Sequence, residues 1–249
     1  MLYGLCDLSI VPLRGEPSDR SELVSQVLYG EHFKILEKRK NWSRIRLAFD
    51  NYEGWIDNKQ FVEIEEDQYQ SMDQSPLTIS SDMIDYVLTG KSGLLSICLG
   101  SNVSACPVLN HTFEGNYVDS VFPKNNLIET ALYYLDAPYL WGGKTPFGID
   151  CSGFTQMVYK LNGHALLRDA RLQATQGEAL SFIEESEPGD LAFFDNDEGI
   201  ITHVGIIMKD NYIIHAHGRV RIDRLDYSGI YNQEERRHTH RLRVIKRIF

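Results

Sequence analysis

Residues 139–153, Y-L-W-G-G-K-T-P-F-G-I-D-C-S-G, restrict the fold more than any other stretch of this chain. Gly142, Gly143, Gly148 and Gly153, with Pro146 among them, specify a tight loop and exclude the interior of a helix or strand. Just after the loop, apolar residues stand at 154, 157, 158 and 161, the spacing of an amphipathic helix. Cys151 therefore opens a helix that springs from a glycine-rich loop. The positive end of a helix dipole favours a thiolate, the attacking form of cysteine, so the placement suits a nucleophile. A lone cysteine also serves as a small buried hydrophobe, so the catalytic reading needs a base elsewhere in the chain.

Composition removes several classes. The net charge of −10 offers no basic footprint for nucleic acid or an anionic membrane. The one basic run, from Arg236 to Arg247, alternates with Leu242, Val244 and Ile245 and reads as a solvated strand face. No apolar run is long enough to span a bilayer. Cys6, Cys98, Cys106 and Cys151 form no C-x-x-C pair, so no metal is expected. Cys98 and Cys106 could bridge in principle. The first residues lack a charged segment followed by a long apolar one, which points to the cytoplasm and free thiols.

Residues 1–65 carry short alternating stretches: Phe33 to Glu37, Trp42 to Leu47, and Tyr52 to Ile56 after a turn at Asp50-Asn51. So many strands in so short a span predict a small β-barrel. Residues 66–124 predict a linker with a possible second, diverged barrel. Residues 125–249 predict an α+β domain: a helix from Asn126, the Cys151 helix, then antiparallel strands around Leu191 to Phe194, Ile200 to Met208, Tyr212 to His217, Val220 to Leu225 and Arg241 to Phe249.

Two histidines lie on adjacent apolar strands, His203 and His215. Counting outward from a two-residue turn at Asp210-Asn211 pairs 203 with about 218 and 215 with about 206, with the imidazoles on one face in diagonal offset. Each could be an ordinary core or surface histidine. Two imidazoles buried among Val and Ile need partners, and a thiolate paired with an imidazolium, with a second polar group orienting that imidazole, would supply them.

The ordered set Y-x-W-G-G-x-x-x-x-G-x-D-C-S-G, R-D-A-x-x-Q, P-G-D-L-x-F-F, H-V-G-I and I-H-A resembles the NlpC-type cysteine peptidases of the papain-like superfold, over residues 125–249. Tyr-x-Gly-Trp-Ile and the cues before it resemble a bacterial SH3-like domain over residues 1–65. The combination is similar to the γ-D-glutamyl-L-diamino-acid endopeptidases, also called dipeptidyl-peptidase VI. The resemblance implies Cys151 as nucleophile, His203 as general base and His215 as the group that orients it. The Cys151 N–H and the Tyr139 hydroxyl would hold the oxyanion. Asp150, with Tyr52 and Glu22 of the SH3-like part, would bind a free amine, and Ser152 and Arg168 a substrate carboxylate. Ala170 replaces a serine that relatives can carry. His217 stands where a small residue is expected.

The implied substrate is a murein-derived peptide with free N-terminal L-Ala, cut without a cofactor during cell-wall peptide recycling. Lysine versus diaminopimelate and the oligomeric state stay open. A wall-binding module with a relict peptidase domain, an amidase or acyltransferase on the same fold, and a secreted wall hydrolase are the other readings.

Overall fold

Alternation shapes the strands of the first unit. In Trp42–Leu47, Ser43, Ile45 and Leu47 are buried, while Arg44 and Arg46 face out and bond Glu53. The computed structural model describes residues 1–90 and 93–249. It divides into Met1–Ser120 with Trp141–Thr145, and Val121–Leu140 with Pro146–Phe249.

In the first unit, β1 (Leu2–Leu5), β2 (Ile10–Arg14), β3 (Leu23–Leu28), β4 (His32–Lys38), β5 (Trp42–Leu47), β6 (Glu53–Asp57) and β7 (Val62–Ile64) form one sheet, ordered β3-β2-β6-β5-β4-β1-β7. Val11, Leu13, Val27, Phe33, Ile45 and Ile56 fill its core, and each such side chain contributes about 1.5–3 kcal/mol. Next comes α1 (Glu66–Gln74), where Gln68 Oε1 accepts from the Glu65 N–H. The unit continues through β8 (Ile79–Ser80), β9 (Ile84–Leu88), β10 (Leu94–Cys98), α2 (Cys106–Leu109) and β11 (Tyr117–Val118). Among the described residues these strands pair only two by two, β10 with β9 and β11 with β8. Single bridges, Ile79 to Asn102 and Leu88 to Thr112, add to them. They do not make the continuous second barrel sheet open for 66–124. Strands of two to five residues leave too few ladder bonds for one.

The same unit includes β12 (Lys144–Thr145). Lys144 Nζ lies 3.1 Å from Glu31 Oε1, both buried, and the Lys144 N–H donates to Gln26 Oε1 at 2.7 Å. Gly142 has φ +77°, and a Cβ there would meet the Leu23 carbonyl at 2.3 Å, so only glycine fits. The chain therefore divides near residue 120 rather than 124, and part of the glycine-rich loop belongs to the first unit.

The second unit contains α3 (Asn126–Leu132), β13 (Gly148–Ile149), α4 (Cys151–Lys160) and α5 (Ala170–Gln173). Its strands are β14 (Glu178–Leu180), β15 (Leu191–Asp195), β16 (Ile201–Ile207), β17 (Tyr212–His217), β18 (Arg219–Asp226), β19 (Gly229–Asn232) and β20 (Arg237–Arg247). The order is β14-β20-β15-β16-β17-β18-β19, and a further β19–β20 pairing closes the sheet on itself. Ala192, Phe194, Ile207, Ile213, Leu225 and Ile230 pack as one cluster, and α4 packs against β16 and β17. This is the expected α+β arrangement, with the antiparallel sheet closed rather than open.

Candidate active site

Asp150 starts α4. Its backbone is extended and its Oδ1 accepts from the Gly153 N–H at 2.6 Å, the bond of an N-cap. Cys151 is thus the first helical residue, and it is buried. All four cysteines are free. The helix start does not yield a resting thiolate, contrary to the expectation from the dipole alone. Burial pushes the Cys151 thiol up to about 12, and the Asp150 charge adds to that. The backbone N–H groups of Val204 and Ser152 and the Arg168 charge pull it down, but by less. Val204 adjoins His203, so the strand that approaches the sulfur is the one that carries the expected base.

The hairpin register differs by one residue from that of a two-residue turn. Gly205 pairs with His215 and Ile207 with Ile213, because the loop has three residues, Lys209–Asn211. Asp210 and Asn211 both take positive φ. The shift matters, since a one-residue slip turns every side chain to the other face. In the observed register His203, Gly205 and His215 share a face. His203 Nε2 lies 2.8 Å from His215 Nδ1. A Cβ on Gly205 would come within 2.8 Å of the His215 Cβ, so glycine leaves the room that the second imidazole occupies.

The histidine row continues beyond the residues expected from sequence. His215 Nε2 lies 3.0 Å from Asp223 Oδ2, and Arg221 bonds both oxygens of Asp223, at 2.7 and 3.1 Å. His240, from β20, stacks on His203 with centroids 4.1 Å apart. Burial lowers both His203 and His215, so both rest as neutral imidazoles. Burial, with His215 and His217 nearby, lowers His240 to about 3. His217 itself is exposed.

Donor atoms of His203, His215 and His240 lie within 4.8 Å of one another. The His203 and His240 rings are stacked, with 25° between their planes.

Tyr139 is half-buried in the second unit, with its N–H bonded to the Gly218 carbonyl. Burial first, then the Cys151 and Asp150 charges, push its phenol up to about 12, so it stays a donor. Asp150, Ser152 and Arg168 are joined to each other. Arg168 NH1 donates to Asp150 Oδ1 and to Ser152 Oγ, both at 3.0 Å, and NH2 donates to Asp150 Oδ2 at 2.7 Å. Ser152 Oγ also donates to Asp150 Oδ1 at 3.2 Å. Asp150 therefore caps α4 and neutralises a buried guanidinium. In the first unit, Glu22 is exposed and accepts from the Trp141 indole at 2.6 Å, and Tyr52 packs against the barrel core. Ala170 is buried at the start of α5.

Asp223, Arg221 and His240 escaped the sequence reading. One signal was available: 203, 205, 215, 221 and 223 share one parity across three paired strands, and a charged pair at 221 and 223 on that face calls for a partner.

Residues 136–242 match the NlpC/P60 family, and residues 13–61 match the bacterial dipeptidyl-peptidase Sh3 domain. A dipeptidyl-peptidase 6 of Lysinibacillus sphaericus is 30% identical, over 89% of this chain and 92% of the relative. A γ-D-glutamyl-L-lysine dipeptidyl-peptidase of Bacillus cereus is 27% identical, over 80% of this chain and 68% of its own. The fold is shared with a crystal structure of an NlpC/P60 family protein from Bacillus cereus ATCC 10987, with a TM-score of 0.78, 20% identity and 99% of both chains covered.

Proposed function

Because the chain belongs to the NlpC/P60 peptidase family, we propose that it is a cysteine peptidase that cuts the bond between the γ-carboxyl of D-glutamate and an L-diamino acid in peptides released from peptidoglycan. The observation that carries this reading is Cys151 at the first turn of α4, its sulfur against the backbone of Val204, the residue that follows a neutral His203 hydrogen-bonded to His215. The names of the two relatives support the substrate class.

Chemically, the resting pair is thiol and imidazole, not thiolate and imidazolium. His203 takes the thiol proton as Sγ attacks the γ-amide carbonyl carbon. The oxyanion is held by the Cys151 N–H and the Tyr139 hydroxyl, which stays protonated. His203 then gives its proton to the departing amine, leaving a thioester. A water, deprotonated by the same imidazole, attacks the thioester carbonyl and restores the thiol. The buried Arg168 and Asp150 hold the helix start rigid while this happens.

A free N-terminal amine on the peptide belongs to the same proposal, with recycling in the cytoplasm as its setting. A requirement for that amine spares stem peptides still joined to glycan. The test incubates the full chain with L-Ala-γ-D-Glu-L-Lys and with its N-acetylated twin, read by mass spectrometry. Release of L-Ala-γ-D-Glu from the free peptide alone is expected. Equal cleavage of both overturns the amine requirement, and cleavage of neither overturns the substrate class. Asp150→Asn is a poor probe of amine binding, since it also removes the charge that pairs with the buried Arg168 guanidinium, although the amide can still cap α4.

A further inference from the structure

We propose that Asp223 is a positioning residue that sets which nitrogen carries the proton on both His215 and His203, a role that rests on Cys151 and His203 being nucleophile and base. Asp223 is buried on β18 and faces His215 diagonally across the β17–β18 ladder, in which Ile213 pairs with Asp223 and His215 with Arg221. Burial alone would raise its carboxyl, but the hydrogen bonds from His215 and Arg221 hold it below the ordinary carboxylate value.

An ionised carboxylate can only accept. The nitrogen 3.0 Å from it, His215 Nε2, must therefore carry a hydrogen. His215 is neutral, so its Nδ1 keeps a lone pair. The nitrogen 2.8 Å from that lone pair, His203 Nε2, must in turn donate. His203 is neutral as well, so its one hydrogen sits on Nε2 and its Nδ1 is bare. Nδ1 is then the atom of His203 that can take the Cys151 proton. With the row reversed, Nδ1 would already hold a hydrogen and the base could accept nothing there.

Arg221 fixes the head of the row. Its Nε and NH2 grip Asp223, and its NH1 reaches Glu234 Oε2 at 3.0 Å. The other titratable groups facing the row are His217 and His240, the first exposed and the second held neutral. When His203 becomes an imidazolium, its Nε2–H still points along the row toward the carboxylate. Successive members sit on successive strands β16, β17 and β18, so the sheet register itself fixes the order of donors and acceptors.

The test labels the full chain with 15N-histidine and reads imidazole nitrogens by NMR at neutral pH. In the wild type, Nε2 is expected to be protonated and Nδ1 bare for both His203 and His215. An amide at 223 has no charge and offers a donor in place of one acceptor, so His215 is no longer obliged to keep its hydrogen on Nε2. Asp223→Asn should disturb both tautomers and lower kcat about a hundredfold or more, with KM changed less than about threefold. Alkylation of Cys151 by iodoacetamide, which needs no peptide, should slow with it. A wild-type His203 protonated on Nδ1 overturns the proposal, and that measurement stands even if the variant does not fold. Unchanged tautomers with kcat within about threefold in Asp223→Asn also overturn it. The expected wild-type spectrum in a protein that cuts none of the peptides supports the assignment and overturns the substrate reading alone.

Discussion

Acid should loosen the second unit through its buried histidines. His203 and His240 are held neutral by burial, the first well below 6.5 and the second at about 3. In the unfolded chain each returns to about 6.5. Below that pH the unfolded chain takes up protons that the folded unit refuses, so stability falls as pH falls. Each such histidine removes about 1.4 kcal/mol per pH unit until its folded value is reached. Between pH 6.5 and 5 His240 removes about 2 kcal/mol, a sizeable share of the 5–15 kcal/mol typical of a domain, and His203 adds in the same direction. His215, lowered for the same reason, adds in the same direction. The measurement must see this unit alone. Trp42, Trp55 and Trp141 all belong to the first unit, so tryptophan fluorescence reports on the wrong one. Hydrogen exchange of peptides from β16 and β17, corrected for the intrinsic pH dependence, reports on the right one. His240→Gln should reduce the slope by about 1.4 kcal/mol per pH unit. Protection that stays flat within about 1 kcal/mol from pH 6.5 to 5, or a slope untouched by His240→Gln, would refute the reasoning.

Three further outcomes are expected. His203→Ala should lower kcat more than His215→Ala, about a thousandfold against about a hundredfold, because one moves the proton and the other orients it; equal losses in steady-state assays would merge the roles. Arg168→Met should destabilise the second unit by about 3–5 kcal/mol in denaturant titrations, since it removes the ion pair that balances the buried Asp150 charge, and adding Asp150→Asn should recover part of the loss. Iodoacetamide alkylation of Cys151, identified by its absence in Cys151→Ala, should keep accelerating with pH past the ordinary thiol range; a plateau near pH 8 would mean a resting thiolate.

Local chemistry was legible in the sequence, and long-range geometry was not. Gly142 and Gly153, with the period of Phe154, Met157, Val158 and Leu161, marked the loop and the helix that bear Cys151, because turn and helix rules act within a few residues. The strands of His203 and His215 were readable for the same reason. Their register was not, since Lys209 joins Asp210 and Asn211 in the loop and shifts every pair by one. His240 reaches His203 through the pairing of β20 with β15 and of β15 with β16, contacts between residues far apart in the chain. The thiol's resting state was misjudged because the dipole argument left out burial and the Asp150 charge. Residues 66–120 resisted reading because strands of two to five residues carry little period.

The Lys144–Glu31 pair bears on how such a protein could be taken apart or recombined. Protein modules are traded most easily when one cut in the chain separates them. Here a single cut near residue 120 would leave the other fragment with a lysine built for burial against a carboxylate it no longer has. A transplant of the peptidase half onto a new partner must therefore bring a substitute for Glu31 and Gln26, or replace Lys144 with a residue content in water. Inheritance of the two halves as one gene segment is the simpler course.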